Sequence, residues 1–227
     1  MKADTYFDHE HINQVLDEME VLVIGMHDGE SIYQTPVHFG YEEIDGQYTF
    51  WFHGDDSHTT GRLLKADPHV GFELDGGQKF LLVPKPFHYS AEFKSVIGQG
   101  IITQVTDHQS MLHGLNVMTD HYIKNHPQFT DKMLGKVAVW RLDANKISAR
   151  IHIPAGLKDM KPGQKLSGSE TVYGDPNTTV DLDALASASV NADYSDVYAD
   201  DKKKKWFYTK WCWLEIFHLY TNAIFVF

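Results

Sequence analysis

One cysteine, Cys212, is the only thiol in the 227-residue chain. A single thiol forms neither an internal disulfide framework nor a cysteine-rich metal site, and this usage fits a reducing cytoplasm. Positive charge is also scarce. The formal net charge is −11, and before Pro154 there are 12 basic against 21 acidic residues, a balance of −9. That argues against a general nucleic-acid or anionic-membrane surface, so an anionic ligand would need its own local cations. A positively charged start followed by an apolar run is missing, which argues against a secretory signal peptide. No P-loop or nucleophile elbow occurs, and Gly98-Gln99-Gly100 lacks the third glycine and the following helix of a dinucleotide fingerprint. Histidine is plentiful, 14 in all with 13 before Pro154, yet no pair has the H-E-x-x-H spacing of a zinc enzyme. No metal site is expected.

The apolar periodicity that remains describes a small β-rich domain. Ile12, Val15, Leu16 and Met19 recur at helical spacing, and Val21–Met26 is a short β-branched run. Asp28-Gly29 and Asp45-Gly46 are hairpin signals on either side of an expected strand Ile32–Tyr41, which predicts a three-strand meander opening a small antiparallel barrel. Gly76-Gly77 and Pro84-Lys85-Pro86 predict a longer loop. Phe93–Val105 reads as a long strand, with Gly98 and Gly100 marking a bulge or a close approach of backbone or ligand. A helix is expected over Asp107–Asn125, and strands Lys136–Leu142 and Lys146–Ile153 close the sheet.

Tyr48–Leu74 carries the most specific signal. An aromatic strand, Tyr48–His53, ends at the turn residues Gly54-Asp55-Asp56-Ser57. A short amphipathic helix follows and stops before Pro68, and Val70-Gly71-Phe72 resumes the extended pattern. Ser57, His58, Thr59, Thr60 and Arg62 therefore cluster at the mouth of a sheet, where hydroxyls, helix-start amides and a guanidinium suit an anionic group such as phosphate. The alternative is an N-capped helix on a solvated face.

This segment resembles the strand–loop–helix of the flavin mononucleotide (FMN)-binding split-barrel proteins related to pyridoxamine 5′-phosphate oxidase, in particular the nitroimidazole-resistance branch. Phe52-His53, Asp67-Pro68, Val70 and Phe72 fall in register with that branch's pattern. Ile32–Phe39, Phe93–Gly100 and Val139–Leu142 resemble flanking strands, so that Phe7–Pro154 is covered. The resemblance implies an antiparallel split β-barrel with two or three flanking helices over residues 1–154. It also implies FMN held at a homodimer interface, and oxidation or reduction of a small organic molecule. It places the flavin ring on Thr35, Pro36, Val37 and His38 and on Trp51, Phe52 and His53, with the phosphate on Ser57, His58, Thr60 and Arg62. In the family register Thr60 replaces the phosphate-contacting lysine and His58 a glycine; Arg62 or Lys65 would have to supply the missing charge. No catalytic residue is assigned. The alternative class is a non-catalytic flavin- or small-molecule-binding module, which the Thr60 substitution favours.

Beyond Pro154 the composition shifts. Residues 155–201 are rich in Asp, Ser, Ala and Thr and read as an acidic disordered linker. Four consecutive lysines, 202–205, then precede a 22-residue end with nine aromatic residues. Three readings stand for this end: a frameshifted or read-through sequence, an amphipathic partner-binding segment, or a tail anchor. Lys210, Glu215, His218 and Asn222 interrupt the last of these. Without a genuine anchor no membrane contact is expected, and the protein is expected to be cytoplasmic.

Overall fold

The computed structural model of the protein describes residues 4–82, 90–131, 134, 137–154 and 172–174. Nine strands and three helices run through these residues: β1 (Asp4–Tyr6), α1 (His9–Leu16), β2 (Leu22–Asp28), β3 (Ser31–Val37), β4 (Gly40–Ile44), β5 (Gln47–Gly54), α2 (Thr59–Ala66), β6 (His69–Leu82), β7 (Ser90–Val105), α3 (His108–Tyr122), β8 (Ala138–His152) and β9 (Val172–Gly174). Hydrogen bonding orders the main path β3-β2-β6-β7-β8-β5-β4, with β1 added to β8 and β9 to β6. All pairings are antiparallel. The end strands β3 and β4 follow one another in sequence but do not pair, so the curled sheet is a split β-barrel, as expected.

Local chemistry explains the elements. Asp45 and Gly46 take positive φ, 50° and 84°, the requirement of a tight two-residue hairpin between β4 and β5. Asp8 and Asp107 cap α1 and α3 by accepting from the amides of His11 (3.1 Å) and Ser110 (2.8 Å). Asn125, at φ 61°, turns the chain away just beyond α3. One main core fills the barrel: Leu22, Ile24 and Met26 of β2, Tyr48, Phe50 and Phe52 of β5, Val96 of β7 and Leu142 of β8, with Ile12, Val15 and Leu16 of α1 closing it. A second cluster lies outside the sheet, where α3 lays Leu115 and Met118 over Trp51 and Val139.

Three expectations need correction. The strand expected over Ile32–Tyr41 breaks at His38 and Phe39, so the expected three-strand meander is four strands in two separate hairpins, β2–β3 and β4–β5. Gly40 marks the reason: a Cβ there would collide with the backbone of Val117 and Met118, so β4 starts pressed against α3. Gly76-Gly77 is not a loop but a register shift inside β6, between Gly76 and Lys79. Likewise β8 is one strand rather than two. Gln99 pairs with Lys146 and Gly100 with Ala144, leaving Asn145 as an extra residue that switches which side of β8 faces the core. The Gly98–Gly100 irregularity is thus where the glycines placed it.

In the segment read as a linker, Val172–Gly174 pairs with Phe80–Leu82. The rest of residues 155–201, the basic–aromatic end, and Pro84-Lys85-Pro86 lie outside the described residues. Among those described, no helix is long and apolar enough to cross a membrane.

Candidate functional site

The β3–β4 corner and the end of β5 form the first part of the site. Pro36 lacks an amide hydrogen and is tolerated because β3 ends the sheet path. After Val37 the chain turns, and His38 Nδ1 donates to the carbonyl of Glu20 (3.2 Å), leaving Nε2 of the neutral ring as an acceptor. Tyr122, at the end of α3, fixes the same corner. Its hydroxyl donates to Glu20 O (2.7 Å) and accepts from Phe39 N (3.0 Å), and its ring meets His38 edge-on with centroids 5.4 Å apart. Burial, and secondarily the charge His38 would carry, hold the His53 imidazole below the ordinary histidine pKa of 6.5. At neutral pH His53 is an uncharged hydrogen-bonding group.

The β5–α2 turn is the second part. Asp55 Oδ1 accepts from both the amide (2.8 Å) and the hydroxyl (2.6 Å) of Ser57. His58 stands at the start of α2 without capping it and lies 3.4 Å from Asp55. The two cations that could replace the family lysine already face carboxylates: Arg62 lies 3.6 Å from Asp28 and Lys65 2.6 Å from Asp56. Asp56 also accepts from Gln104 (3.2 Å). These hydrogen bonds, from Ser57 to Asp55 and from Lys65 to Asp56, hold both carboxyls below the usual aspartate range. Gly61 is required here, because a Cβ would overlap the Asp56 backbone; the acidic turn lies directly on the first turn of the helix.

A groove of about 550 Å³ lies on the outer face of β3, β2, β6 and β7, lined by residues of neither part, within the usual size of ligand sites. Its floor is backbone. Gly25 and Gly71 are paired across β2 and β6, and a Cβ on either would meet nothing nearer than 3.7 Å. Ile32, 62% exposed, and Ile97, 44% exposed, form its apolar walls. His27 and His69 line one end; His69 Nδ1 donates to Asp67 (2.8 Å), which turns Nε2 outward as an acceptor. At the other end Val23 pairs with Pro36. The seven paired positions of the β2–β3 hairpin separate Leu22–Val37 from Asp28–Ser31 by about 20 Å, at the ordinary rise of a strand. The Pro36–His38 corner and the Asp28 that faces Arg62 thus lie at opposite ends of this hairpin.

The nine residues singled out in the sequence thus fall into distinct places. Pro36, His38 and His53 gather at the corner, and Ser57, His58, Thr60 and Arg62 gather at the turn. Phe52 is buried in the main core, so only its backbone is open to a ligand, and the partly buried Val37 packs against that core. Trp51 is under α3, its indole donating to Glu42 (2.8 Å). Sequence reasoning passed over Gly25, Ile97, Gln99, His27 and His69. The available signal was glycine inside β-branched runs, at Gly25 and Gly71, where neither a turn nor a positive φ calls for it. Among the described residues no group of three or more His, Cys, Asp or Glu is placed to hold a metal ion.

Comparison with known proteins identifies this architecture. The family model for pyridoxamine 5′-phosphate oxidase matches residues 8–151. No curated protein matches. Among solved structures, a candidate 5-nitroimidazole antibiotic resistance protein from Bacteroides thetaiotaomicron is 20% identical with a TM-score of 0.57, covering 66% of this chain and 87% of that one. The FAD and heme binding protein from Mycobacterium smegmatis is 15% identical with a TM-score of 0.58, covering 78% and 89%. The flavocytochrome Anf3 from Azotobacter vinelandii is 14% identical with a TM-score of 0.56, covering 83% and 92%. At these identities the structural matches speak for the fold.

Proposed function

The chain belongs to the pyridoxamine 5′-phosphate oxidase family, and from that premise we propose that it is a flavin-dependent oxidoreductase acting on a small organic molecule as a homodimer. The observation that carries this reading is the glycine-floored groove. The fold does not need glycine at positions 25 and 71, since a Cβ at either has ordinary room. What their bareness provides is a flat strip of exposed peptide with Gln34 and Gln99 directly alongside and Ile32 and Ile97 on the diagonals, suited to the close approach of a planar ring. A flavin ring fits these residues: Gly25 and Gly71 beneath it, Ile32 and Ile97 at its sides, and Pro36 at the end nearest the β3–β4 corner. When bound, the flavin supplies the electron or hydride transfer, and the protein's part is to bind, orient and exclude water. His38 Nε2 and the neutral His53 offer proton-accepting nitrogens at the corner.

FMN is the form implied by the resemblance, and nitroaromatic compounds are the substrate class associated with the nitroimidazole-resistance branch. A direct test is the visible spectrum of the full-length protein, reconstituted with flavin and then desalted. Retained flavin bands that bleach on addition of NADH or NADPH support the oxidoreductase. Retained bands indifferent to either reductant favour the non-catalytic binding module, which the absence of the family lysine at Thr60 also favours. A colourless protein would overturn the flavin-dependent oxidoreductase and leave a module that binds some other small molecule.

A further inference from the structure

The turn that the family register assigns to the flavin phosphate is chemically unlike a phosphate site. Three carboxylates, Asp28, Asp55 and Asp56, face two fixed cations, Arg62 and Lys65, and each cation stands against one of the carboxylates. The Ser57 amide and hydroxyl, the two donors such a turn would turn on a phosphate, both point at Asp55 Oδ1. Gln104 is engaged by Asp56, and His58 lies beside Asp55. Position 60, where the family places a lysine, holds a threonine. The turn's own carboxylates therefore occupy the roles an incoming anion would fill. A phosphate monoester, close to a dianion at neutral pH, would add charge to a cluster that is already net negative.

Resting on the flavin reading above, we infer that this protein recognises the ring of its cofactor and not the 5′-phosphate. The β5–α2 turn is closed to phosphate by Asp55 and Asp56, and the ligand class is a flavin whose side-chain terminus is left outside that turn. Riboflavin, FMN and FAD carry the same ring with zero, one and two phosphates, so they separate the two modes of recognition.

The test is fluorescence-quench titration of the full-length protein with each of the three flavins at low and at high salt. Dissociation constants within about three-fold of one another, with FMN affinity insensitive to salt, are expected, because a phosphate that makes no charge-assisted contact contributes little. Asp55→Asn combined with Thr60→Lys should then favour FMN over riboflavin by about ten-fold or more, the ordinary effect of installing such a contact. Wild-type protein that binds FMN at least about ten-fold tighter than riboflavin, with that preference erased by Arg62→Ala, would overturn the inference while leaving the flavin reading intact. Failure of all three flavins to bind would overturn the flavin reading and this inference with it.

Discussion

Four glycines of the central strands look alike in the sequence but do opposite work. Gly98 and Gly100 point inward, where a Cβ would collide with the Phe72 ring and with Asp143 O and Leu142 respectively. Gly25 and Gly71 are on the outer face and meet almost nothing. This contrast gives a paired prediction. Gly98→Ala should destabilise the fold by about 1–3 kcal/mol, the usual effect of forcing an extra carbon into a packed core. Gly71→Val should leave the melting temperature unchanged or raise it, since a β-branched residue suits a strand better than glycine, yet it should abolish retention of flavin. Thermal melts and the flavin absorbance of the two desalted variants decide the matter. A Gly71→Val protein that keeps its flavin would remove the groove from the site. Only part of this was legible beforehand. Ser57, His58, Thr60 and Arg62 were readable as one cluster because turn residues lie next to one another in sequence. The groove was not, because its floor and walls come from four strands and only their register puts Gly25 opposite Gly71 and Gly71 opposite Gln99.

At the level of elements, hairpin signals were more readable than strand ends. Asp45-Gly46 is a turn because its two φ angles must be positive, and the sequence states that requirement directly. The break at His38 has no such local mark; it comes from Gly40 meeting α3, a contact 77 residues away to Val117 and beyond the reach of any periodicity. The docking of α1 on the barrel is a further element-scale feature, made by tyrosines. The Tyr48 hydroxyl donates to Asn13 (2.8 Å) and accepts from His9 (3.1 Å), and Tyr41 donates to Asp17 (2.7 Å). Burial first, and then the nearby carboxylate of Glu43, pushes the Tyr48 hydroxyl from 10.0 up to about 12. Tyr41 shifts the same way, by burial and then by Asp17. The fold thus holds both phenols protonated. Between pH 10, where the unfolded chain releases its protons, and the higher folded value, the native state binds more protons than the unfolded one, so stability falls as pH rises. The contribution is fully present below pH 10. Tyr48→Phe should cost about 1 kcal/mol at pH 7 through its lost hydrogen bonds, but should flatten the decline of the melting temperature measured from pH 9 to 11. An equally steep decline in the variant would place the alkaline sensitivity elsewhere.

For the whole molecule, the groove lies on a sheet face that the described residues of one chain leave largely uncovered. α3 covers the outer side of β5 and β8, and the second core forms there. No described helix does the same for β2, β6 and β7, and Ile32, Ile97 and Ile101 remain 62%, 44% and 42% exposed around the groove. Isolated exposed aliphatics are ordinary, but three that flank a backbone-floored cleft form a surface that binding would bury. A second copy of the chain is the occupant consistent with the proposed dimer, and a ligand lying on bare peptide needs a lid that a neighbouring sheet can provide. Oligomeric state and cofactor retention should then change together. Ile97 and Ile101 are on the solvent side of β7, four residues apart on one face, and Ile101 is outside the lining of the groove, so Ile101→Glu changes that face without entering either core or the proposed ring site. Sedimentation velocity at about 10 μM, a concentration at which an obligate dimer remains associated, should give a dimer for the native protein and a monomer for this variant. The variant should keep its thermal transition, while its retention of flavin after desalting should fall with the loss of the dimer. A native protein that sediments as a monomer and still holds flavin would show that one chain completes the site alone. It would also leave Ile32 and Ile97 as ligand contacts alone, with no second chain against Ile101.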